Sequence, residues 1–166
     1  MFKKGFTLLE LLIVIVVIGI LAAVSVPRLM SFIDEGKVGA TRSEMAAIKS
    51  AARLFFMHTN RYPTHVGELV RNNLGGDTGA AAISGWRGPY MEDGYEEVVN
   101  DAWGNEYRII NQRKTTDGGA TPININGQSL FGILLVSNGP NGIFDGETGF
   151  GDEIDDLFEW LVYDGE

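Results

Sequence analysis

A long apolar run near the N-terminus constrains this chain most. From Phe6 to Val26 the side chains are small or apolar, and Glu10 carries the one charge among them. As a helix, this run of about 21 residues would be about 31 Å long, enough to cross the hydrocarbon core of a bilayer. Lys3 and Lys4 precede it, and the positive-inside rule keeps such a basic flank in the cytoplasm. The sequence therefore predicts a single-pass membrane helix, with the rest of the chain on the outer side.

An ordinary cleaved signal peptide is the alternative interpretation of this run. No clean small-x-small cleavage site with a polar start after it follows the apolar residues, which continue through Val26. A carboxylate inside a membrane helix costs about 2.5–3.5 kcal/mol at the helix centre and less near the interface. Glu10 is therefore predicted to have a function.

The segment Lys-Gly-Phe-Thr-Leu-Leu-Glu that ends at Glu10, followed by the unbroken apolar run, resembles the class III signal of type IV pilins and type II secretion pseudopilins. The resemblance implies that prepilin peptidase cuts between Gly5 and Phe6 and leaves the helix in the mature protein. It also implies N-methylation of Phe6. Glu10 then becomes the acidic residue that pairs with the N-terminal amine of a neighbouring subunit during assembly.

The remainder of the chain predicts a small α+β head. Apolar residues at helical spacing continue the N-terminal helix beyond the membrane, with an apolar face that should pack on a sheet: Met45, Ile48, Ala52, and Phe55 or Phe56. Pro27 and Gly19 mark weak points of the helix, and Pro63 forces the chain out of it. Short strands are predicted at residues 107–110 and 130–136. The predicted domains are a leader, residues 1–5, a helix, residues 6–58, and a head, residues 59–166.

Three aromatic stretches of the head, residues 60–64, 86–90 and 101–107, narrow the resemblance. In this order they are similar to elements of the major pseudopilin of type II secretion systems, with Ala102 in place of the family's usual proline. The resemblance implies a structural subunit that polymerises with copies of itself into a pseudopilus and drives protein export. It implies as partners minor pseudopilins, the inner-membrane platform, prepilin peptidase and, before assembly, membrane lipid. The implied location is the bacterial inner membrane with the head in the periplasm. A pilin of an extracellular fibre for adhesion, motility or DNA uptake is the alternative.

Charge and cysteine content exclude several other classes. The net charge is −9, and residues 115–166 hold ten acidic and no basic residues. No basic stripe or patch suits nucleic acid. No nucleophile–base pair, phosphate loop or metal-hydrolase motif appears, so no enzyme is predicted. The chain has no cysteine. A small exported head without disulfides needs another means of stabilisation.

We predict that a bound cation stabilises the head in place of a disulfide. Turn residues and oxygen donors alternate after residue 137, and such donors suit calcium. An EF-hand is excluded because Ile143 would occupy a ligand position. The major pseudopilins resemble this segment better, and the resemblance implies calcium ligands at Ser137, Asn138, Asn141, Ile143, Asp152 and Glu153. Backbone oxygens are meant at Asn138 and Ile143. Because the loop is longer here, Asp145 is a further candidate, and Asp155 and Asp156 are candidates to replace the Asp152 and Glu153 pair. A solvated acidic loop is the alternative.

Overall fold

A computed structural model of the chain describes residues 6–72, 82–92, 94–113, 122–125, 128–144 and 156–165. The helices are α1 (Leu8–Thr59), a short 3₁₀ helix (Val66–Leu69) and α2 (Tyr95–Val99), and the strands are β1 (Arg108–Gln112), β2 (Ile123–Ile125), β3 (Gln128–Ser137) and β4 (Leu157–Gly165). By internal contacts the chain divides into two compact units, Met1–Lys37 and Val38–Glu166. The domain boundaries predicted from the sequence follow processing and helix ends instead, and they stay a prediction.

The apolar run and the amphipathic segment belong to one helix of 52 residues, α1. The helix continues past Pro27, which the sequence marks as a weak point. Within the second unit, one face of α1 is buried. Met45, Ile48, Ala52 and Phe55 are each at most 2% exposed, which confirms the face predicted from their helical spacing.

The sheet is built around β3. Strand β1 pairs with it through Gly132–Val136, and β4 pairs with it from Phe131 to Ser137. Strand β2 forms a hairpin with the first residues of β3, and all pairings are antiparallel. Strands β1 and β3 overlap the two predicted strands, whereas β4 falls in the acidic tail, where no strand was predicted.

Alternation along β3 gives the sheet two apolar faces, because successive side chains of a strand point to opposite sides. Ile133 and Leu135 belong to the core with α1. Leu134 and Val136 belong to a second cluster with Phe158 and other partly buried aromatic residues. The long N-terminal helix and the small antiparallel sheet therefore confirm the predicted α+β fold.

One glycine is required by this packing. Gly132 has a φ of +151°, and a side chain there would collide with the carbonyl oxygen of Val162 and the ring of Trp160. The register of β3 against β4 also shifts on both sides of this region, between Phe131 and Gly132 and again after Ile133. Gly132 thus lets β4 cross β3 closely where the pairing is irregular.

Candidate assembly and metal sites

The first unit presents an apolar surface to its surroundings. Helix α1 is long and apolar enough to cross a membrane, with a mean hydropathy of 3.0 over 18 of its residues, none of which is buried. Large side chains from Phe6 to Ile33 are all substantially exposed. A membrane or a set of neighbouring helices is the environment that such a surface requires.

Glu10 is held at the start of this helix by Thr7. The backbone N–H and the hydroxyl of Thr7 both donate hydrogen bonds of 2.9 Å to Oε2 of Glu10. In return, the N–H of Glu10 donates to the Thr7 hydroxyl at 3.2 Å. This reciprocal arrangement is a capping box, and it satisfies donors that the first helical turn leaves without partners. Sequence reasoning missed Thr7, although the spacing Thr-x-x-Glu is the known signal for it.

The capping box uses Oε2 of Glu10, and among the described residues no hydrogen bond is formed with the second carboxylate oxygen. A carboxylate accepts several hydrogen bonds, so Glu10 can cap its own helix and still accept from another chain. Phe6 lies immediately before Thr7 and is 80% exposed. Gly5, the other residue of the predicted cleavage site, lies outside the described residues.

The predicted metal loop is described in its first part, residues 137–144. Ser137 is fully buried, and its hydroxyl donates a 2.6 Å hydrogen bond to Oδ2 of Asp101 while accepting one from the N–H of Gly139 at 3.3 Å. Oδ1 of Asn141 accepts from the N–H of Ile143 at 2.6 Å. These side-chain oxygens therefore already stabilise the turn itself.

Asn138 differs from its neighbours. Its Nδ2 donates to the carbonyl oxygen of Gly142 at 3.3 Å, but its Oδ1 is buried and has no hydrogen-bond partner among the described residues. A buried acceptor without a donor is destabilising. The sequence assigned a backbone oxygen to this position, whereas the structure offers the side-chain amide oxygen as well.

Asp156 lies at the same end of the sheet. Ser137 pairs with Leu157 in the β3–β4 ladder, and the next residues along the two antiparallel strands are Asn138 and Asp156. Asp156 is only 7% exposed. The fold thus brings three predicted ligands to the same end of the β3–β4 pair: Ser137, Asn138 and Asp156.

Four other predicted ligands, Asp145, Asp152, Glu153 and Asp155, lie outside the described residues. Within the described ranges, no three His, Cys, Asp or Glu side chains form a group that could hold a metal ion. The donors present, a buried amide oxygen and a buried carboxylate, are nevertheless of the kind that calcium prefers.

Asp101 holds the predicted metal loop against the rest of the head, and sequence reasoning did not assign it this position. Its Oδ1 accepts from the N–H groups of Trp103 and Asn105 at 3.0 and 2.8 Å, and its Oδ2 accepts from Ser137. Nδ2 of Asn105 then donates to the carbonyl oxygen of Gly139 at 2.6 Å. Two side-chain hydrogen bonds therefore join the turn at residues 101–105 to the loop after β3.

The same turn also reaches α1. The N–H of Ala102 donates to the hydroxyl of Thr41 at 3.3 Å, and the hydroxyl of Tyr107 donates to Oε2 of Glu44 at 2.8 Å. Burial and the hydrogen bond to Glu44 raise the pKa of Tyr107. A line of buried and half-buried polar groups thus connects the helix, the turn and the loop.

Comparison with known proteins gives two family matches. The family described as "Type II secretion system (T2SS), protein G" matches residues 28–128. The prokaryotic N-terminal methylation motif matches residues 1–26.

Individual relatives agree with these matches. The type II secretion system core protein G of Dickeya chrysanthemi is 28% identical over 164 residues, which cover 98% of this chain and 90% of that protein. The protein of the same name from Pseudomonas aeruginosa is 35% identical over 112 residues, covering 65% of this chain and 73% of the relative.

A solved structure has a similar fold. It is the major pseudopilin from the type 2 secretion system of enterohaemorrhagic Escherichia coli, with 22% sequence identity and a TM-score of 0.50. The match covers 81% of this chain and 95% of that one.

These findings confirm the resemblance drawn from the residues, and they favour a secretion pseudopilin over the alternative of an extracellular pilin. The protein G match spans more than half of the chain, and the methylation motif covers its N-terminal segment. The chain therefore belongs to the type II secretion system protein G family, the major pseudopilins.

Proposed function

We propose that this chain is a structural, non-enzymatic subunit that polymerises from the bacterial inner membrane into a periplasmic pseudopilus. The observation that carries the proposal is the apolar, unburied first half of α1, attached to a head with its own core. Before assembly the helix spans the membrane once, with the head in the periplasm. In the filament, helices of other copies replace the lipid.

Processing precedes assembly in this proposal. Prepilin peptidase cuts between Gly5 and Phe6, and Phe6 is then N-methylated. The cut places a new α-amino group close to the Thr7–Glu10 capping box. The oxygen of Glu10 that Thr7 does not use then accepts from the N-terminal amine of a neighbouring subunit. In an apolar surrounding, two opposite charges are costly apart and much less so when paired.

The proposed partners, besides other copies of the chain, are minor pseudopilins, the inner-membrane platform and the peptidase. A direct test replaces the gene in its native bacterium with a Glu10→Ala variant. Membrane insertion and leader cleavage should proceed, whereas pseudopili and protein export should be lost. Asp34→Ala, a change outside the apolar run, is the matched control. Normal pseudopili from the Glu10→Ala strain would contradict the proposed role of Glu10.

We also propose that the loop between β3 and β4 binds calcium. The support is the buried, unpartnered Oδ1 of Asn138 beside the strand end that carries the buried Asp156. These two residues would hold the ion together with oxygen donors from the remaining predicted positions, Asn141, Ile143, Asp145, Asp152, Glu153 and Asp155. The hydroxyl of Ser137 would hold the loop in place through Asp101. Calcium would supply the positive charge that offsets the acidic loop.

This second proposal is tested on a soluble fragment starting at Val38, where the second compact unit begins. Ligand at about 100 times its dissociation constant stabilises the folded state by about 2.7 kcal/mol, which should raise Tm by several degrees. Millimolar calcium should give that increase, and a chelator should reverse it, while magnesium at the same concentration serves as control. An unchanged Tm in millimolar calcium would count against the site.

A further inference from the structure

A cavity of about 310 Å³ opens in the head between α1, α2 and the segment that precedes α2. Three apolar and two acidic side chains line it: Ile48, Met91, Val98, Glu44 and Glu97. Its volume is at the lower end of the range for pockets that bind small molecules. Since three separate segments of the chain form its walls, the cavity is a concave feature of the fold and not the surface of one helix.

The apolar wall of the cavity belongs to the main core of the head. Ile48 and Val98 are 1% and 3% exposed, and Met91 packs half-buried against the same cluster. An aliphatic chain placed on this wall would be removed from water, which is favourable.

The two acids of the cavity are each held by one hydrogen bond. The hydroxyl of Tyr107 donates to Oε2 of Glu44 at 2.8 Å, and the N–H of Gly94 donates to Oε2 of Glu97 at 3.0 Å. None of the ion pairs formed among the described residues includes either acid. Both carboxylates therefore face the cavity without a basic partner from the described part of the chain.

An organic cation suits this lining better than a metal ion. Calcium prefers six to eight oxygen ligands, and within the described ranges no three His, Cys, Asp or Glu side chains form a group that could hold a metal ion. An ammonium group instead forms strong charge-assisted hydrogen bonds with carboxylates. The aliphatic stem that carries such a group packs favourably on an apolar surface.

We propose that this cavity binds a short aliphatic cation. The ammonium group contacts the carboxylates of Glu44 and Glu97, and the carbon chain covers Ile48, Met91 and Val98. Free amines and the side chain of a lysine on another protein share this chemistry. Binding requires only the folded head, so it is independent of the proposed filament.

Methionine methyl groups report binding by NMR, because Met91 lines the cavity and Met57 is 75% exposed near the end of α1. Full-length chain in a neutral detergent, isotope-labelled at its methionine methyl groups, is titrated with butylammonium chloride. The Met91→Leu variant assigns the Met91 signal. We expect this signal to shift saturably in the millimolar range while the Met57 signal stays in place.

Two control probes separate the parts of the ligand. Butanol has the stem without the charge, and ammonium chloride has the charge without the stem, so neither should shift the Met91 signal at the same concentration. An equal shift with either control, or no shift with butylammonium, would overturn the proposal.

Two further probes separate the sources of the amine. Tighter binding of the diamine putrescine would support a free amine as the natural ligand. Tighter binding of Nα-acetyl-lysine amide would support a lysine side chain of another protein. Failure of both to shift the Met91 signal would also overturn the proposal.

Charge variants complete the test. Glu44→Gln and Glu97→Gln should each weaken butylammonium binding about tenfold, because a charge-assisted hydrogen bond becomes a neutral one. Both amides can still accept from Tyr107 and Gly94, so the head keeps its contacts. Glu96→Gln makes the same change of charge at an exposed position of α2 outside the cavity and should bind like the parent. Unchanged affinity in both cavity variants, or an equal loss in Glu96→Gln, would overturn the proposal.

Discussion

The hydroxyl of Ser137 donates a 2.6 Å hydrogen bond to Oδ2 of Asp101, and neither residue is more than 6% exposed. The bond joins the end of β3 to a turn that is 36 residues earlier in the chain. Because the same carboxylate also accepts from two backbone N–H groups, Asp101 determines where the loop after β3 begins.

Replacing Asp101 should therefore destabilise the head more than replacing Ser137. Asp101→Ala leaves three donors without an acceptor, the buried hydroxyl of Ser137 and the half-buried N–H groups of Trp103 and Asn105. A buried unsatisfied group costs about 1–3 kcal/mol, and the half-buried ones cost less because water can reach them. Ser137→Ala removes the hydrogen bond to Asp101 and the longer one from the N–H of Gly139, at about 1 kcal/mol each. Urea unfolding of the fragment from Val38 measures both. Equal losses of unfolding free energy in the two variants would argue against Asp101 as the common anchor.

Asn138→Leu should abolish the stabilisation by calcium and change the calcium-free stability little. The change removes a buried oxygen that has no donor among the described residues, and this gain offsets the loss of the 3.3 Å hydrogen bond from Nδ2 to the carbonyl oxygen of Gly142. The increase of Tm in calcium should be lost. Asn111→Ala, on an exposed position of β1 opposite Ile133, is the control and should keep the full response to calcium. An unaltered response in Asn138→Leu would remove this amide from the set of ligands.

Thr7→Val should impair assembly through Glu10. The variant keeps the size and apolar character of the side chain but loses the hydroxyl that contacts the carboxylate, and loss of an N-cap costs about 1 kcal/mol. Thr7→Ser retains the hydroxyl and should assemble normally. Counting pseudopili by electron microscopy compares the two strains, and the idea fails if both behave alike.

Tyr107→Phe should reduce the sensitivity of the head to alkali. The raised pKa of Tyr107 in the folded state means that the unfolded chain releases this proton first, near pH 10. The associated stability is complete below that pH and is lost as the pH rises further. Unfolding free energies at pH 9 and pH 11 should differ less in Tyr107→Phe than in the parent. A larger difference in the variant would contradict this assignment.

Gly132→Ala should destabilise the sheet by at least about 2 kcal/mol, because the new methyl group meets the carbonyl of Val162 at a positive φ. Gly39→Ala is a suitable control. It lies within α1 with no atom within 4 Å of the added Cβ, and because it is the second residue of the fragment, at its frayed end, the change should leave the stability nearly unaltered. Thermal unfolding of both variants compares these two changes in stability. Equal stability of the two variants would indicate that β4 moves away from β3 to make room for the methyl group.

Much of the fold could be predicted from periodicity. The spacing of Met45, Ile48, Ala52 and Phe55 identifies the buried face of α1 because helical period and burial reinforce one another. The apolar run at residues 130–136 likewise identifies most of β3. In both cases the pattern of residues that are close together in the sequence is sufficient to predict the structure.

Strand β4 could not be predicted in the same way. Its sequence mixes Glu159 and Asp164 with large apolar residues, and a register shift after Ile133 interrupts its pairing with β3. The alternation expected of a half-buried strand is therefore lost in the sequence. This strand forms by pairing with β3, which ends about twenty residues earlier in the chain.

For the proposed metal site, the sequence predicts a set of candidate oxygens but not which of them are free to bind an ion. The oxygen-rich composition indicates a cation, but which oxygens are already used in turns depends on contacts distant in sequence. Ser137 and Asn141 are engaged in hydrogen bonds, whereas Oδ1 of Asn138 is not. Composition does not separate a turn-forming Asn from one that offers a free oxygen.

The position of β4 also determines when the head can fold. Strand β3 has β1, earlier in the chain, on one side and β4, the last strand, on the other. In the proposed export of the head, with the N-terminal helix held in the membrane, one edge of β3 stays without its partner until β4 has crossed. An unpaired edge of this kind is prone to pair with other chains. On the proposed route the head is therefore most prone to mispairing late in export, when a chaperone or rapid delivery of the last residues would matter most.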